Sequence, residues 1–218
     1  MEPSLPDTRT ALLQAALACF ASHGFDGTSM RRVADSAGRP LSLLSHYFGN
    51  KEGLYLEVFK HMFETSVHVI ASPLDLSDML PLDRQGAIRL LREQIHLMYQ
   101  EAVPNEAFTN SLQDHKARLW VQEFQSPRPS LQPLMKKHLG PVINVLRECI
   151  RVIRPDLKEA QLAFIGIAIT GQVVGHGTMV GLNKVIWGDH PPFGTHFQEA
   201  ELLVDFCLHG LVTASLSE

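Results

Sequence analysis

Side chains that can bind nucleic acid are concentrated between residues 28 and 51 of this 218-residue sequence. Ser45 and His46 carry groups that can hydrogen-bond to base edges, whereas Leu41 can touch only a thymine methyl group or a sugar. Tyr47 and Lys51 can donate hydrogen bonds to phosphates. The whole predicted DNA-contacting set is Thr28, Ser29, Arg39, Pro40, Leu41, Ser42, Ser45, His46, Tyr47 and Lys51.

Two short helices are predicted ahead of the segment that contains most of these residues. The first has apolar residues at helical spacing, and this pattern stops at Gly24. The second follows Thr28 and Ser29, whose hydroxyl groups can cap a helix. It ends at Gly38, because glycine readily adopts the positive φ of a tight turn. Both helices are therefore short and closely followed by a turn.

A third short helix, LSLLSHYF, follows Pro40, which suits the first turn of a helix. Its leucines cannot all face one neighbour, so Leu44 is predicted to pack inward and Leu41 to face outward. The second helix, the glycine turn and the third helix have the spacing of a helix-turn-helix. The residues predicted to form its shared apolar contact are Val33, Ala34, Ala37, Leu44 and Tyr47.

The remainder of the chain is predicted to be helical, which gives an all-α fold. A longer amphipathic segment begins at Lys51, and further helical patterns follow it to the end of the sequence. Several prolines fall between these segments, as expected of residues that end helices: Pro73, Pro81, Pro127, Pro129, Pro155, Pro191 and Pro192. We predict a DNA-binding domain over residues 1–50 and a larger helical domain over residues 51–218.

Composition narrows the function classes. The formal charge of −4 argues against a protein coated in positive charge, although a local cationic face can still bind DNA. The three cysteines are far apart, so neither a disulfide framework nor a zinc knuckle is expected, and a reducing cytoplasm fits best. The amino-terminal residues show no pattern of an export signal. No metal ligand and no cofactor are predicted.

Residues 160–183 contain no charged side chain and include several glycines. This pattern resembles a membrane span, but Gln172, His176 and Asn183 would be costly in lipid. The alternative is a helix buried in an assembly of soluble subunits, with no membrane involved. Residues 160–187 and 197–214 are then predicted to form a four-helix interface between two copies of the chain.

About the first sixty residues resemble the TetR-type bacterial regulators. The matching residues, in order, are His23–Gly24–Phe25, Thr28–Ser29, Ala34, Ala37–Gly38, His46–Tyr47–Phe48 and Lys51–Glu52–Gly53–Leu54. The resemblance implies an all-helical homodimer whose first three helices bind double-stranded operator DNA. It also implies phosphate contacts from Thr28, Tyr47 and Lys51. The carboxyl-terminal part is similar to the CecR-like branch, while Arg39 replaces the usual valine.

The same resemblance implies a small-molecule pocket in the larger domain. Periodicity alone favours core packing for its aromatic residues, and the resemblance makes a cavity a comparable alternative. The predicted effector is apolar or aromatic. The predicted lining residues are Phe59, Met62, Phe63, Met98, Tyr99, Trp120, Phe124, Phe164 and His176.

These observations predict a DNA-binding transcriptional repressor that a small-molecule effector releases from its operator. An enzyme is not predicted, because the sequence contains neither a nucleophile elbow nor an HExxH motif. A helical small-molecule-binding or interaction protein that does not bind DNA remains the alternative.

Overall fold

Every regular element in the residues that the structure describes, 8–65, 82–103, 112–188 and 194–213, is an α-helix. The structure is a computed structural model. Its helices are α1 Thr8–Gly27, α2 Met30–Ser36, α3 Leu41–Phe48, α4 Lys51–Thr65, α5 Arg84–Ala102, α6 Leu112–Gln125, α7 Gln132–Ile153, α8 Glu159–Trp187 and α9 His196–Thr213. The predicted all-α class is confirmed. Helix predicted over residues 66–71 and 105–111 lies outside the described residues.

Helix α1 contains a break at the position where its apolar pattern stops. Gly24 has a φ of +69°, which glycine adopts without the steric cost of a Cβ atom. Helical structure continues after this break to Gly27. The break redirects the chain toward α2, so the predicted end of the first regular segment corresponds to a kink.

The amino-terminal helices share one hydrophobic core. Leu12 of α1, Val33 of α2 and Leu44 of α3 are all fully buried in it. Leu119 of α6 and Leu131, just before α7, belong to the same core. The helix-turn-helix is therefore packed directly against helices of the larger predicted domain, and the boundary at residue 50 stays a prediction.

A second core joins α5, α7, α8 and α9. Leu91 and Ile95 of α5 and Leu146 of α7 are fully buried in it. At its edge, polar contacts tie α5 to α9, including a hydrogen bond of 3.0 Å from the Tyr99 hydroxyl to Glu199 Oε2. Helices α5, α7 and α8 of this core also form three walls of the candidate effector cavity.

Helices α8 and α9 leave many large apolar side chains exposed in the single chain. Val185 is 82% exposed and Phe164 is 71% exposed. The others include Ile167, Leu182, Ile186, Trp187, Phe197, Leu202 and Phe206. The segment Glu159–Met179 is also long and apolar enough to cross a membrane, by length and composition only.

Two glycines of α8 differ in their surroundings. A Cβ atom added at Gly177 would lie 2.4 Å from the backbone oxygen of Ala102, so α5 and α8 approach each other closely there. A Cβ atom added at Gly175 would have no described atom within 4 Å. Gly177 is therefore required by packing inside the subunit, whereas Gly175 is not.

Candidate nucleic-acid interface

Helices α2 and α3 are held together by local hydrogen bonds and a glycine turn. The Ser29 hydroxyl accepts a hydrogen bond of 3.1 Å from the Arg32 backbone N–H and caps α2. Gly38 has a φ of +61°, and the next residue, Arg39, donates its backbone N–H to the Ala34 oxygen at 3.0 Å. The short turn between the two helices is the one predicted from the sequence.

One side of α3 is buried and the other is open to solvent. Leu44 is fully buried, and Phe48, one turn later on the same face, is nearly so. The exposed residues at and before this helix are Arg39, Pro40, Leu41, Ser42, Ser45, His46 and Tyr47. The outward direction predicted for Leu41 agrees with its 43% exposure. The polar groups suited to base edges therefore lie together on the open face.

Tyr47 lies on this open side and not in the contact between α2 and α3. Its side chain is 43% exposed, so the predicted role in the shared apolar contact is wrong. The reason is helical spacing, because Phe48 follows Leu44 at i+4 and takes the inward position. The exposed Tyr47 hydroxyl stays available for the predicted phosphate contact.

Thr28 is directed into the protein. It is only 2% exposed, and its hydroxyl donates to the backbone oxygens of Cys19 and Gly24, at 3.0 and 2.8 Å. A hydroxyl has a single proton, which these two oxygens share, so Thr28 has none left for a phosphate oxygen. The structure therefore corrects the predicted direct contact, and Thr28 instead holds the kinked end of α1 next to Ser29.

Lys51, at the start of α4, is held by the part of α1 that follows the kink. Its ammonium donates to the Phe25 backbone oxygen at 3.1 Å and lies 4.3 Å from the centre of the Phe25 ring. An ammonium has three N–H donors, so others remain for a phosphate. The guanidinium of Arg128 lies 3.8 Å from the same ring centre. Both contacts are cation–π distances.

A buried polar group connects this region to α6. The carboxylate of Glu123, which is 4% exposed, accepts a hydrogen bond of 2.8 Å from the Tyr55 hydroxyl and one of 2.9 Å from the Arg128 backbone N–H. Burial and the bond to Glu123 raise the pKa of Tyr55. The sequence analysis did not identify these residues, because Tyr55 and Glu123 lie 68 positions apart.

A candidate effector cavity of about 170 Å³ lies between α5, α6, α7 and α8. Of the nine residues predicted to line it, Met98 does so, as do Trp120 and Phe124. The rings of Trp120 and Phe124 are stacked with centres 5.4 Å apart. The other walls come mainly from apolar side chains that the sequence did not single out, such as Leu139 and Val173.

The remaining predicted lining residues lie elsewhere. Phe59, Met62 and Phe63 are fully buried in the amino-terminal core. Tyr99 is buried against His176, with ring centres 5.4 Å apart. Phe164 points to solvent in the single chain. The structure thus brings together three of the predicted residues at this cavity and distributes the other six among the cores and the surface.

Comparisons with known proteins identify the amino-terminal region. Residues 12–58 match the family model described as "Bacterial regulatory proteins, tetR family". A match of 38% identity over 50 residues joins the chain to the HTH-type transcriptional repressor AcnR of Corynebacterium glutamicum, covering 23% of this chain and 27% of AcnR. The chain therefore matches only about a quarter of that relative's length.

A longer match joins the chain to the HTH-type transcriptional regulator RutR of Escherichia coli O157:H7. It has 38% identity over 157 residues and covers 71% of this chain and 64% of RutR. Among solved structures, AibR in complex with isovaleryl coenzyme A and operator DNA has a TM-score of 0.65 at 15% identity, covering 92% of this chain and 97% of AibR. A HlyIIR mutant has a TM-score of 0.60 at 20% identity, covering 95% and 98%. These two structures share the fold of the chain.

Proposed function

We propose that this chain, whose amino-terminal helices form a DNA-binding domain of the TetR family, is a transcriptional repressor that a small molecule releases from operator DNA. The observation that carries the proposal is the open face of α3. Ser45 and His46 are exposed on this face, while Leu44 and Phe48 anchor the opposite side of the helix in the core. A helix presented in this way can enter the major groove of DNA.

The residues of this face divide into two roles. Ser45 and His46 read base edges, so they determine which operators are preferred. Ser29, Tyr47 and Lys51 donate to phosphates and set the position of α3 on the duplex. The contacts of Lys51 with Phe25 support this assignment, because they fix the ammonium close to the end of α3.

The operator-binding form is a homodimer. Its interface is formed by the exposed apolar side chains of α8 and α9. The large number of these side chains supports this assignment, because soluble monomers rarely expose so large an apolar surface. A symmetric interface places the two copies of α3 on two half-sites of a pseudo-palindromic operator. In this assembly the apolar segment Glu159–Met179 packs against a second subunit, not against lipid.

Release follows from the position of α6. Trp120 and Phe124 of this helix line the cavity, while Glu123 of the same helix bonds to Tyr55 of α4. A molecule that fits the cavity in only one of two arrangements of α6 shifts the population toward the arrangement that it binds. Because α4 begins at Lys51, directly after α3, a shift of α4 changes the placement of α2 and α3, which together form the reading head.

The chain acts by binding and not by catalysis, in the cytoplasm where its DNA is found. Its relatives AcnR and RutR are a transcriptional repressor and a transcriptional regulator. The alternative of a helical interaction protein without DNA binding leaves the polar open face of α3 without a role.

A gel-shift titration against the DNA upstream of the chain's own gene tests DNA binding. Lys51→Ala is expected to weaken binding to all sequences and to reduce the slope of log K against log salt by about one. Lys137→Ala, which removes an exposed lysine of α7, is the control and should leave the slope unchanged. Equal slopes for the wild type and Lys51→Ala would contradict the phosphate contact, and no salt-dependent shift would contradict the function.

Light scattering on two glycine variants tests the homodimer. Gly175→Leu adds a side chain where the subunit has space, so it should leave the helical content intact while separating the subunits and abolishing full-operator binding. Gly177→Ala clashes with the Ala102 backbone within the subunit and should lower the melting temperature instead. A Gly175→Leu protein that stays dimeric and binds the full operator would remove the basis for this interface.

A further inference from the structure

We infer that Arg128, in the segment that joins α6 to α7, is a positioning residue for operator binding. Its guanidinium holds Phe25 in place, and Phe25 in turn holds the ammonium of Lys51. The inference rests on the proposed function, in which Lys51 donates to a phosphate. It assigns a part in DNA binding to a residue that lies outside the helix-turn-helix.

The backbone of Arg128 is tied to α6. Its N–H donates to Glu123 Oε2 at 2.9 Å, and this carboxylate is almost completely buried. Prolines flank Arg128 on both sides and restrict the dihedral angles of the segment. The hydroxyl of Ser130 donates to Glu52, in the first turn of α4. The segment therefore lies against the start of α4, and we expect Arg128 to follow any movement of α6.

The guanidinium of Arg128 has no short polar contact to hold it. Its Nε lies 3.5 Å from Glu123 Oε1, and a terminal nitrogen lies 3.7 Å from Asp26 Oδ2. Both distances exceed the usual length of an N–H···O hydrogen bond. The buried Nε has no hydrogen-bond partner within the part of the chain that the structure describes. The contact with the Phe25 ring, at 3.8 Å from the ring centre, is therefore the main one that fixes the guanidinium.

Phe25 connects Arg128 to the groups at the start of α2 and α4. Its backbone oxygen accepts hydrogen bonds from Lys51 Nζ at 3.1 Å and from the Thr28 backbone N–H at 3.2 Å. Its ring centre also lies 4.3 Å from the Lys51 ammonium. A displacement of Phe25 therefore moves the ammonium that is proposed to donate to phosphate.

Other roles of Arg128 predict a different dependence on Lys51. A direct phosphate contact, or attraction of DNA by the guanidinium charge alone, does not require Lys51, so the losses of the two residues would multiply in the affinity. A residue that acts through Lys51 has little left to do once the ammonium is absent. The two cases are distinguished by removing Arg128 with and without Lys51.

A double-mutant cycle with Arg128→Met and Lys51→Ala makes this comparison. Operator affinities of the wild type, both single variants and the double variant are measured by gel shift of the full chain at one salt concentration. We expect Arg128→Met to weaken binding about fivefold in the wild-type background, within the range of one cation–π contact. In the Lys51→Ala background we expect less than about a twofold effect. An equal fold loss in both backgrounds would overturn the inference.

Arg128→Met is expected to fold, because it keeps the backbone N–H that bonds to Glu123 and most of the apolar stem. The side chain also borders an open cavity of about 400 Å³, so its replacement creates no closed void. Circular dichroism and thermal melts check the fold. Arg128→Gln, which removes the same guanidinium, must give the same dependence on Lys51, and a different dependence would contradict the positioning role.

Arg118→Met is the matched control. Arg118 is an arginine of α6 whose guanidinium pairs with Asp114 of the same helix, so its loss should leave operator affinity unchanged in both backgrounds. A loss as large as that of Arg128→Met would mean that the charge of the region decides the affinity, and it would overturn the inference.

The outcomes also separate this inference from the proposed function. A wild-type protein without a salt-dependent shift would contradict the function, and the inference with it. A wild-type protein that binds the operator, together with an Arg128→Met protein of equal affinity, would overturn the inference alone.

Discussion

The hydrogen bond between Tyr55 and Glu123 is expected to make a large contribution to stability. It joins α4 to α6 at 2.8 Å, and the carboxylate is almost completely buried. Tyr55→Phe removes only the hydroxyl, so the ring contacts with Phe20 and Phe25 are kept. A hydrogen bond to a charged group contributes about 1.5–3 kcal/mol, and we expect a loss of about 2 kcal/mol.

Urea unfolding and thermal melts at one fixed protein concentration measure this loss. For a chain of this length, about 2 kcal/mol corresponds to a fall in melting temperature of about 4–8 °C. The concentration is fixed because dimerisation makes the melting temperature depend on it. Tyr47→Phe is the matched control, since Tyr47 is exposed and its stability change should stay within about 0.5 kcal/mol.

A double-mutant cycle assigns the loss to the pair. Glu123→Gln keeps the size of the side chain but removes the charge that Tyr55 and Arg128 contact. If the two groups interact directly, the double variant should be less destabilised than the sum of the single variants, by about 1 kcal/mol or more. Additive losses, or a Tyr55→Phe protein as stable as the wild type, would refute the reasoning.

Three further predictions concern other groups. Lys116→Met should stabilise the protein by about 1 kcal/mol at pH 7, because burial lowers the pKa of Lys116 and so disfavours its charged form. This gain in stability should shrink as the pH rises toward about 10.4, the pKa of an unfolded lysine. Glu201→Gln should destabilise the protein at pH 7, because the His96 hydrogen bond lowers the pKa of Glu201 and so stabilises its charged form in the folded protein. The loss should become progressively smaller below about pH 4.3, the pKa of an unfolded glutamate, because this stabilisation disappears as the carboxylate protonates. Thr28→Val should cost about 1–3 kcal/mol in urea unfolding without changing the salt slope of DNA binding, and a changed slope would restore the direct phosphate contact.

The helix-turn-helix could be predicted in detail because local interactions specify it. The Ser29 cap acts within three residues, and Gly38 adopts its positive φ in the turn itself. The spacing of Leu44 and Phe48 decides which side of α3 is buried. Thr28 was harder to predict, because the direction of its hydroxyl depends on the kink at Gly24.

The effector cavity could be predicted only in part, because core and cavity use the same residue types. Phe59 and Phe63 satisfy the same periodicity as Trp120, yet they contact its ring from the amino-terminal core, at 5.2 and 5.0 Å between ring centres. Which side of an aromatic ring meets empty space depends on the placement of α6 against α4 and α7. That placement is set by contacts between residues far apart in the sequence, such as Tyr55 and Glu123.

Trp120 is the residue at which the cavity and the reading head meet. One part of its ring lines the cavity, and its edge contacts with Phe59 and Phe63 reach α4. Interiors of this kind are close-packed, so a ligand that moves the indole also requires these two phenylalanine rings to adjust. Because α4 begins at Lys51, whose ammonium is hydrogen-bonded to the Phe25 backbone oxygen, we expect such an adjustment to reach the end of α4 that is proposed to contact phosphate. We therefore expect Trp120→Phe to weaken the coupling between ligand and DNA more than it weakens either binding event alone, which gel shifts with and without a small apolar aromatic probe such as toluene can measure. Equal losses in ligand binding, DNA binding and coupling would mean that Trp120 serves only as packing.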